Sequence, residues 1–268
     1  MIRNSTRKKP GHGREIRPGD ARSRPGGGNT GRVVALSNIG KNIHSVRERI
    51  AKAATGCGRS EAEITLLAIT KTVHEESISQ AIAAGIRHFG ENRIQEAEGK
   101  ILHFRAGPEL EWHLVGHLQS NKTRRAAVLF HLVHSVDSSR LAERLDRACM
   151  ESGQVLSVLI QVDLGGEDTK FGAPIHQIRE LAEAVSYLKH LRLDGLMAIP
   201  PFFDDPDKAR PYFARLRKIS ESLESEQPGC LGRRHLSMGM SHDFEAAITE
   251  GATIVRVGTA IFGARQYA

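Results

Sequence analysis

From residue 37 onward the chain alternates short apolar runs with longer stretches whose apolar residues recur at helical spacing. The runs sit at 64–70, 86–89, 111–115, 132–136, 155–163, 192–199, 234–238 and 253–257, and each reads as a short buried strand. Ser37 opens the series as a candidate cap for a helix over 37–55, in which Ile39, Ile43, Val46 and Ile50 recur every three or four residues. Alternating strands and helices imply a parallel sheet. Eight such units in about 230 residues fit a closed (β/α)8 TIM-type barrel better than an open sheet. The open, doubly wound alternative lacks its nucleotide signature: Gly26-Gly27-Gly28 follows no strand, and no G-x-G-x-x-G run opens a helix. Only Gly258 to Ala268 follow the last run, too few for a full eighth helix, so the extra N-terminal helix is expected to cover that side.

Residues 1–32 break the pattern. They are rich in Arg, Gly and Pro and offer almost nothing to bury, so they are expected to form a disordered basic tail ahead of a single domain over 33–268. The tail also accounts for the charge. Of a formal net charge of +7, residues 1–32 contribute nine Lys/Arg against two Asp/Glu, which leaves 29 of each sign in 33–268. The folded part is electrically balanced, and no basic groove for nucleic acid is expected. A nucleic-acid-binding arm or a targeting segment is the alternative for the tail itself, although its glycines and prolines oppose an amphipathic helix.

Cys57, Cys149 and Cys230 are far apart and form no C-x-x-C pair, so neither a disulfide framework nor a cysteine zinc site is expected. A reducing cytoplasm fits that usage. No stretch approaches the roughly 18–20 consecutive apolar residues of a membrane span, and the N-terminus lacks the apolar core of a secretory signal.

In a barrel, chemistry belongs at the C-terminal ends of the strands. Lys71 ends the first run, where partial desolvation suits an amine that condenses with an aldehyde. Gly90-Glu91-Asn92 follows the second run, Gly116-His117 the third, and Ser135 and Asp137 lie at the end of the fourth. Ser237-Met238-Gly239-Met240-Ser241 and Arg256-Val257-Gly258-Thr259 close the seventh and eighth, the positions where barrels most often hold phosphate. Glycines there admit anionic oxygens to backbone N–H groups, and Ser241 is a candidate cap for a helix starting at His242. Arg256 lies within an apolar strand, and alternation alone leaves open whether it faces the interior or pairs outward with a carboxylate. His113 and His117 have i,i+4 spacing but fall on a strand and its turn, and no H-E-x-x-H or similar ligand set is present, so no metal is expected. Asp204, Asp205 and Asp207 read as a solvated cluster that starts a helix.

Taken in order, several segments resemble the YggS/PROSC-type pyridoxal phosphate homeostasis proteins over about residues 37–268. They are Leu67-Ala68-Ile69-Thr70-Lys71-Thr72, Phe89-Gly90-Glu91-Asn92, the run from Trp112 to Lys122, Gly195-Leu196-Met197-Ala198-Ile199-Pro200, and the run from Leu236 to Arg265. The resemblance implies a single barrel like the N-terminal domain of alanine racemase, with pyridoxal 5′-phosphate bound to Lys71 as a Schiff base. By motif position, Ser237, Gly239, Gly258 and Thr259 would surround the phosphate, Arg256 would face the pyridine nitrogen, and Asn92 would belong to the same site. An arginine, always charged, keeps that nitrogen unprotonated and weakens the cofactor as an electron sink.

Racemisation also calls for two positioned proton-transfer groups. In alanine racemases the second, a tyrosine, comes from a separate β-rich domain, which is not expected in this chain. Tyr187 and Tyr212 fall on predicted helices, and Tyr267 is close to the C-terminus. The implied function is therefore a monomeric carrier or buffer in intracellular pyridoxal phosphate homeostasis, without turnover of its own, that releases cofactor to apo-enzymes. The alternative is a pyridoxal phosphate-dependent amino-acid racemase. Departures from the family pattern line the mouth: Val73-His74 where members often carry a second lysine or similar polar group, and Arg93 and His117 where tyrosine and proline are common. Lys170 matches a family lysine that the resemblance connects with cofactor handover.

Overall fold

The computed structural model describes residues 37–107, 109–165 and 171–263. The tail expected over 1–32 and Lys170 lie outside the described residues. Every apolar run named above overlaps a strand: β1 (Thr65–Ile69), β2 (His88–Glu91), β3 (Glu111–Leu114), β4 (Leu132–Val136), β5 (Leu156–Asp163), β7 (Leu191–Met197), β8 (His235–Met240) and β9 (Ile254–Val257). A two-residue strand, β6 (Ala173–Pro174), is added beside the end of β5. Each neighbouring pair is parallel; β4 pairs with β5 and β9 with β1, which closes an eight-stranded barrel. The second run is displaced by two residues from its expected bounds, because His88 to Glu91 are the residues in register with Glu111 to Leu114.

Helices α2 (Glu75–Ala83), α3 (Ile94–Phe104), α4 (Thr123–Leu129), α5 (Ser139–Ser152), α6 (Ile178–Ser186), α7 (Arg210–Glu226) and α8 (Phe244–Thr249) connect the strands, and α9 (Thr259–Phe262) is a single turn. The expected first helix is α1 (Asn38–Gly56), with the Ser37 hydroxyl accepting from the Gly40 N–H at 3.1 Å. It packs against α2, α8 and α9, and Asn42 Nδ2 donates to the Ile261 carbonyl at 2.9 Å. The gap left by the short α9 is thus filled from the other end of the barrel sequence.

Two apolar layers follow from strand alternation. Ala68, Phe89, Val133 and Val255 join the layer between strands and helices. Leu67, Ile69, Leu132, Leu159, Met197 and Ile254 fill the barrel itself. Burial of each large side chain contributes about 1.5–3 kcal/mol. Polar groups interrupt the inner layer: His113, His134, Ser237 and Arg256 are all buried. Among the described residues, no helix is long and apolar enough to cross a membrane.

Candidate functional site

Lys71 directly follows β1 and is half-buried. The residue before it is clamped from the helix side. Thr70 Oγ1 donates to Glu91 Oε1 at 2.6 Å, and Lys100 Nζ donates to both that oxygen (2.7 Å) and the Thr70 carbonyl (2.6 Å). Burial pushes the Glu91 carboxyl pKa up, against the opposing pull of its bonds to Lys100 and Thr70. The residue after Lys71 is strained: Thr72 has φ +60°, a left-handed conformation that a β-branched residue avoids. Its N–H donates to Glu96 Oε2 of α3 at 3.1 Å. Lys71 therefore stands between two fixed residues.

Pairing of Ala68 with Val257 brings the ends of β1 and β9 together on the C-terminal face. There the Ser241 hydroxyl accepts from the N–H groups of Gly258 (3.2 Å) and Ala260 (3.3 Å). This corrects the expected role of Ser241: the helix after it starts at Phe244, with Asp243 at the cap position, and the serine reaches across to the start of α9 instead. Gly239 is buried at φ +87°, and a Cβ there would lie 2.5 Å from the Ala247 methyl. Backbone and packing both require glycine. Gly258 is half-buried, and Thr259, the first residue of α9, is exposed. Asn92 is half-buried beyond β2, and Gly116 packs so tightly on it that a side chain at 116 would overlap the Asn92 carbonyl. Next to it, the exposed His117 ring stacks on Phe171 at 3.9 Å, with Nδ1 3.6 Å from Asp137 Oδ2.

Arg256 faces inward. Its NH1 donates to the Ser237 carbonyl (2.6 Å) and hydroxyl (2.8 Å), and its NH2 to the Ala198 carbonyl (2.9 Å). Burial lowers its pKa to about 10, so it stays charged at neutral pH. Ser237 turns its hydroxyl into the barrel, where it also meets His134 Nδ1 at 2.9 Å. His134 Nε2 in turn lies 3.0 Å from His113 Nδ1. Burial holds the pKa of His134 well below the usual histidine value, and that of His113 below it too. The strand containing His134 was legible in the sequence, but the residue itself was not singled out; a histidine inside an otherwise apolar run was the available signal.

The alanine racemase N-terminal domain family matches residues 34–266. The pyridoxal phosphate homeostasis protein of Pseudomonas aeruginosa is 47% identical over 232 residues, covering 87% of this chain and 98% of that protein. This chain belongs to the pyridoxal phosphate homeostasis protein family. A solved structure of a similar protein, PipY from Synechococcus elongatus with PLP bound, shares 38% identity at a TM-score of 0.75, covering 84% of this chain and 100% of PipY. Alanine racemase from Corynebacterium glutamicum shares the barrel fold at 17% identity and a TM-score of 0.65, with 86% of this chain matched to 62% of the racemase.

Proposed function

We propose that this family member binds pyridoxal 5′-phosphate at the C-terminal mouth of the barrel and serves in its homeostasis, holding the cofactor reversibly rather than turning over amino acids. The observation that carries the proposal is the β1–β9 pairing, which sets the strand end bearing Lys71 beside the N–H groups of Gly258 and Ala260. An amine next to a hydroxyl whose oxygen is anchored by two N–H groups, leaving its proton to donate, is a donor set that suits an aldehyde bearing a phosphate.

Lys71 would bond to the aldehyde carbon, with loss of water, and hydrolysis would return both partners. The hydroxyls of Ser241 and Thr259 would donate to the phosphate, with the Gly258 and Ala260 N–H groups holding the Ser241 oxygen in place, Gly239 would allow its approach, and Asn92 would border the lysine from β2. Ser237 serves by fixing Arg256. When bound, the cofactor supplies an electron-withdrawing ring. A charged arginine beside the ring nitrogen keeps that nitrogen unprotonated and limits the withdrawal. That favours storage over racemisation. The two tyrosines among the described residues support the same reading: Tyr187 is 75% exposed at the end of α6, and Tyr212 lies on α7 against Phe203.

Borohydride reduction of the protein with pyridoxal phosphate, followed by peptide mapping, tests the assignment. The phosphopyridoxyl group is expected on Lys71 and nowhere in Lys71→Ala; a label on another lysine, or none, overturns it. Transfer of cofactor to an apo-enzyme without α-deuterium exchange from amino acids is expected, whereas exchange at catalytic turnover would establish the racemase alternative.

A further inference from the structure

The opposite, N-terminal face of the barrel holds a second constellation. Parallel register places His88 beside Glu111, and His113 follows two residues along β3, so the three side chains share the inner side of the barrel. Glu111 Oε2 lies 3.3 Å from His88 Nδ1 and 3.5 Å from His113 Nε2, and the three ligand-capable atoms all fall within 4.8 Å of one another. Both nitrogens are buried, and neither makes a hydrogen bond in spite of the carboxylate beside it. They are aimed past the oxygen rather than at it.

The geometry points to a divalent transition-metal site, of the zinc type, formed by His88 Nδ1, Glu111 Oε2 and His113 Nε2. Around a tetrahedral ion with bonds of about 2.0–2.1 Å, ligand atoms stand roughly 3.3–3.4 Å apart. The two distances from Glu111 already match that edge, and closing the third requires only a small approach of the imidazoles. Two imidazoles and one carboxylate select a borderline metal over calcium or magnesium.

The surroundings fit. A metal-bound histidine carries its proton on the other ring nitrogen and donates it to a fixed acceptor. His113 Nδ1 has such a partner in His134 Nε2 at 3.0 Å. A cavity of about 390 Å³, bordered by these three residues with His131, Gln154 and His235, leaves room for water at a fourth position. Its two arginines, Arg192 and Arg233, face Asp194 at 3.0 and 3.8 Å rather than the cluster.

The site is tested on the full chain, stripped with a chelator and titrated with Zn²⁺ and with Co²⁺. One ion per chain is expected, with a cobalt visible spectrum of nitrogen and oxygen ligands and no thiolate charge-transfer band. His88→Ala and Glu111→Gln are each expected to weaken binding by roughly 100-fold, and to abolish the rise in melting temperature that Zn²⁺ gives the parent. His88 is only half-buried, so its variant is expected to fold; circular dichroism before metal addition checks this. Absence of a bound ion in the parent, a thiolate band, or unchanged affinity in both variants would overturn the assignment. Lys71 is not used in any of these measurements, so the cofactor proposal stands or falls separately.

Discussion

Ser237 joins two buried groups that no other side chain connects among the described residues: its hydroxyl oxygen accepts from Arg256 NH1 at 2.8 Å and lies 2.9 Å from His134 Nδ1. Because the oxygen already receives the arginine proton, the serine can give its own proton to His134, or accept a second one from it. Either way the pair fixes Arg256, the arginine proposed to meet the ring nitrogen of the cofactor.

Removal of that hydroxyl should therefore be felt as stability first. In Ser237→Ala, His134 Nδ1 loses its partner in a dry interior, and an unsatisfied buried group costs about 1–3 kcal/mol. Urea denaturation should show a loss of that size with an unchanged slope. No measurable loss would mean that water or a neighbour replaces the serine.

The phosphate end is separable from the aldehyde end. Ser241→Ala removes the hydroxyl that gathers the Gly258 and Ala260 N–H groups but leaves Lys71 untouched. Affinity for pyridoxal phosphate should fall by roughly tenfold, the equivalent of one hydrogen bond to a charged group. Affinity for pyridoxal, which lacks the phosphate, should not change. Equal losses for both compounds in a spectroscopic titration would place Ser241 outside the phosphate contacts.

The clamp behind Lys71 gives a pH-dependent prediction. Lys100→Met strands Glu91 in a buried position, where breaking one side of such a pair costs about 3–5 kcal/mol. With the lysine gone, nothing offsets burial as fully, and the folded-state pKa of Glu91 rises further above its unfolded value. The folded state then binds more protons, so this contribution to stability grows as pH falls through the folded pKa and is lost as pH rises. The variant should be closer to the parent at pH 5.5 than at pH 8 in denaturant titrations. Adding Glu91→Gln should flatten that difference, and a penalty independent of pH would exclude Glu91 as its source.

Much of this was readable in advance, for a physical reason. The barrel strands are buried on both faces, so they stand out as apolar runs, and α1 shows its buried stripe of Ile43, Val46 and Ile50. The same double burial hides which side a residue faces, which is why the inward turn of Arg256 and the place of His134 needed the fold. Ser241 looked like the cap of its own helix because local spacing shows only local partners, whereas its donors come from residues 17 and 19 positions away. The grouping of His88 with Glu111 and His113 depends on strand register, which no single segment contains.

Thr72 provides the sharpest check on how Lys71 is held. A non-glycine residue in the left-handed region costs roughly 1–2 kcal/mol, and the strain is set against the N–H bond to Glu96. Thr72→Gly relieves it but frees the unfolded chain by about 0.5–1 kcal/mol, so net stability should rise by at most about 1.5 kcal/mol. The turn would then be free to leave its single conformation, and cofactor dissociation should become faster although every proposed contact residue is intact. Stopped-flow transfer to an excess of a competing amine measures that rate directly. A slower or unchanged rate, together with a clear loss of stability, would show that the threonine is there for packing and that the strain has no part in positioning the lysine.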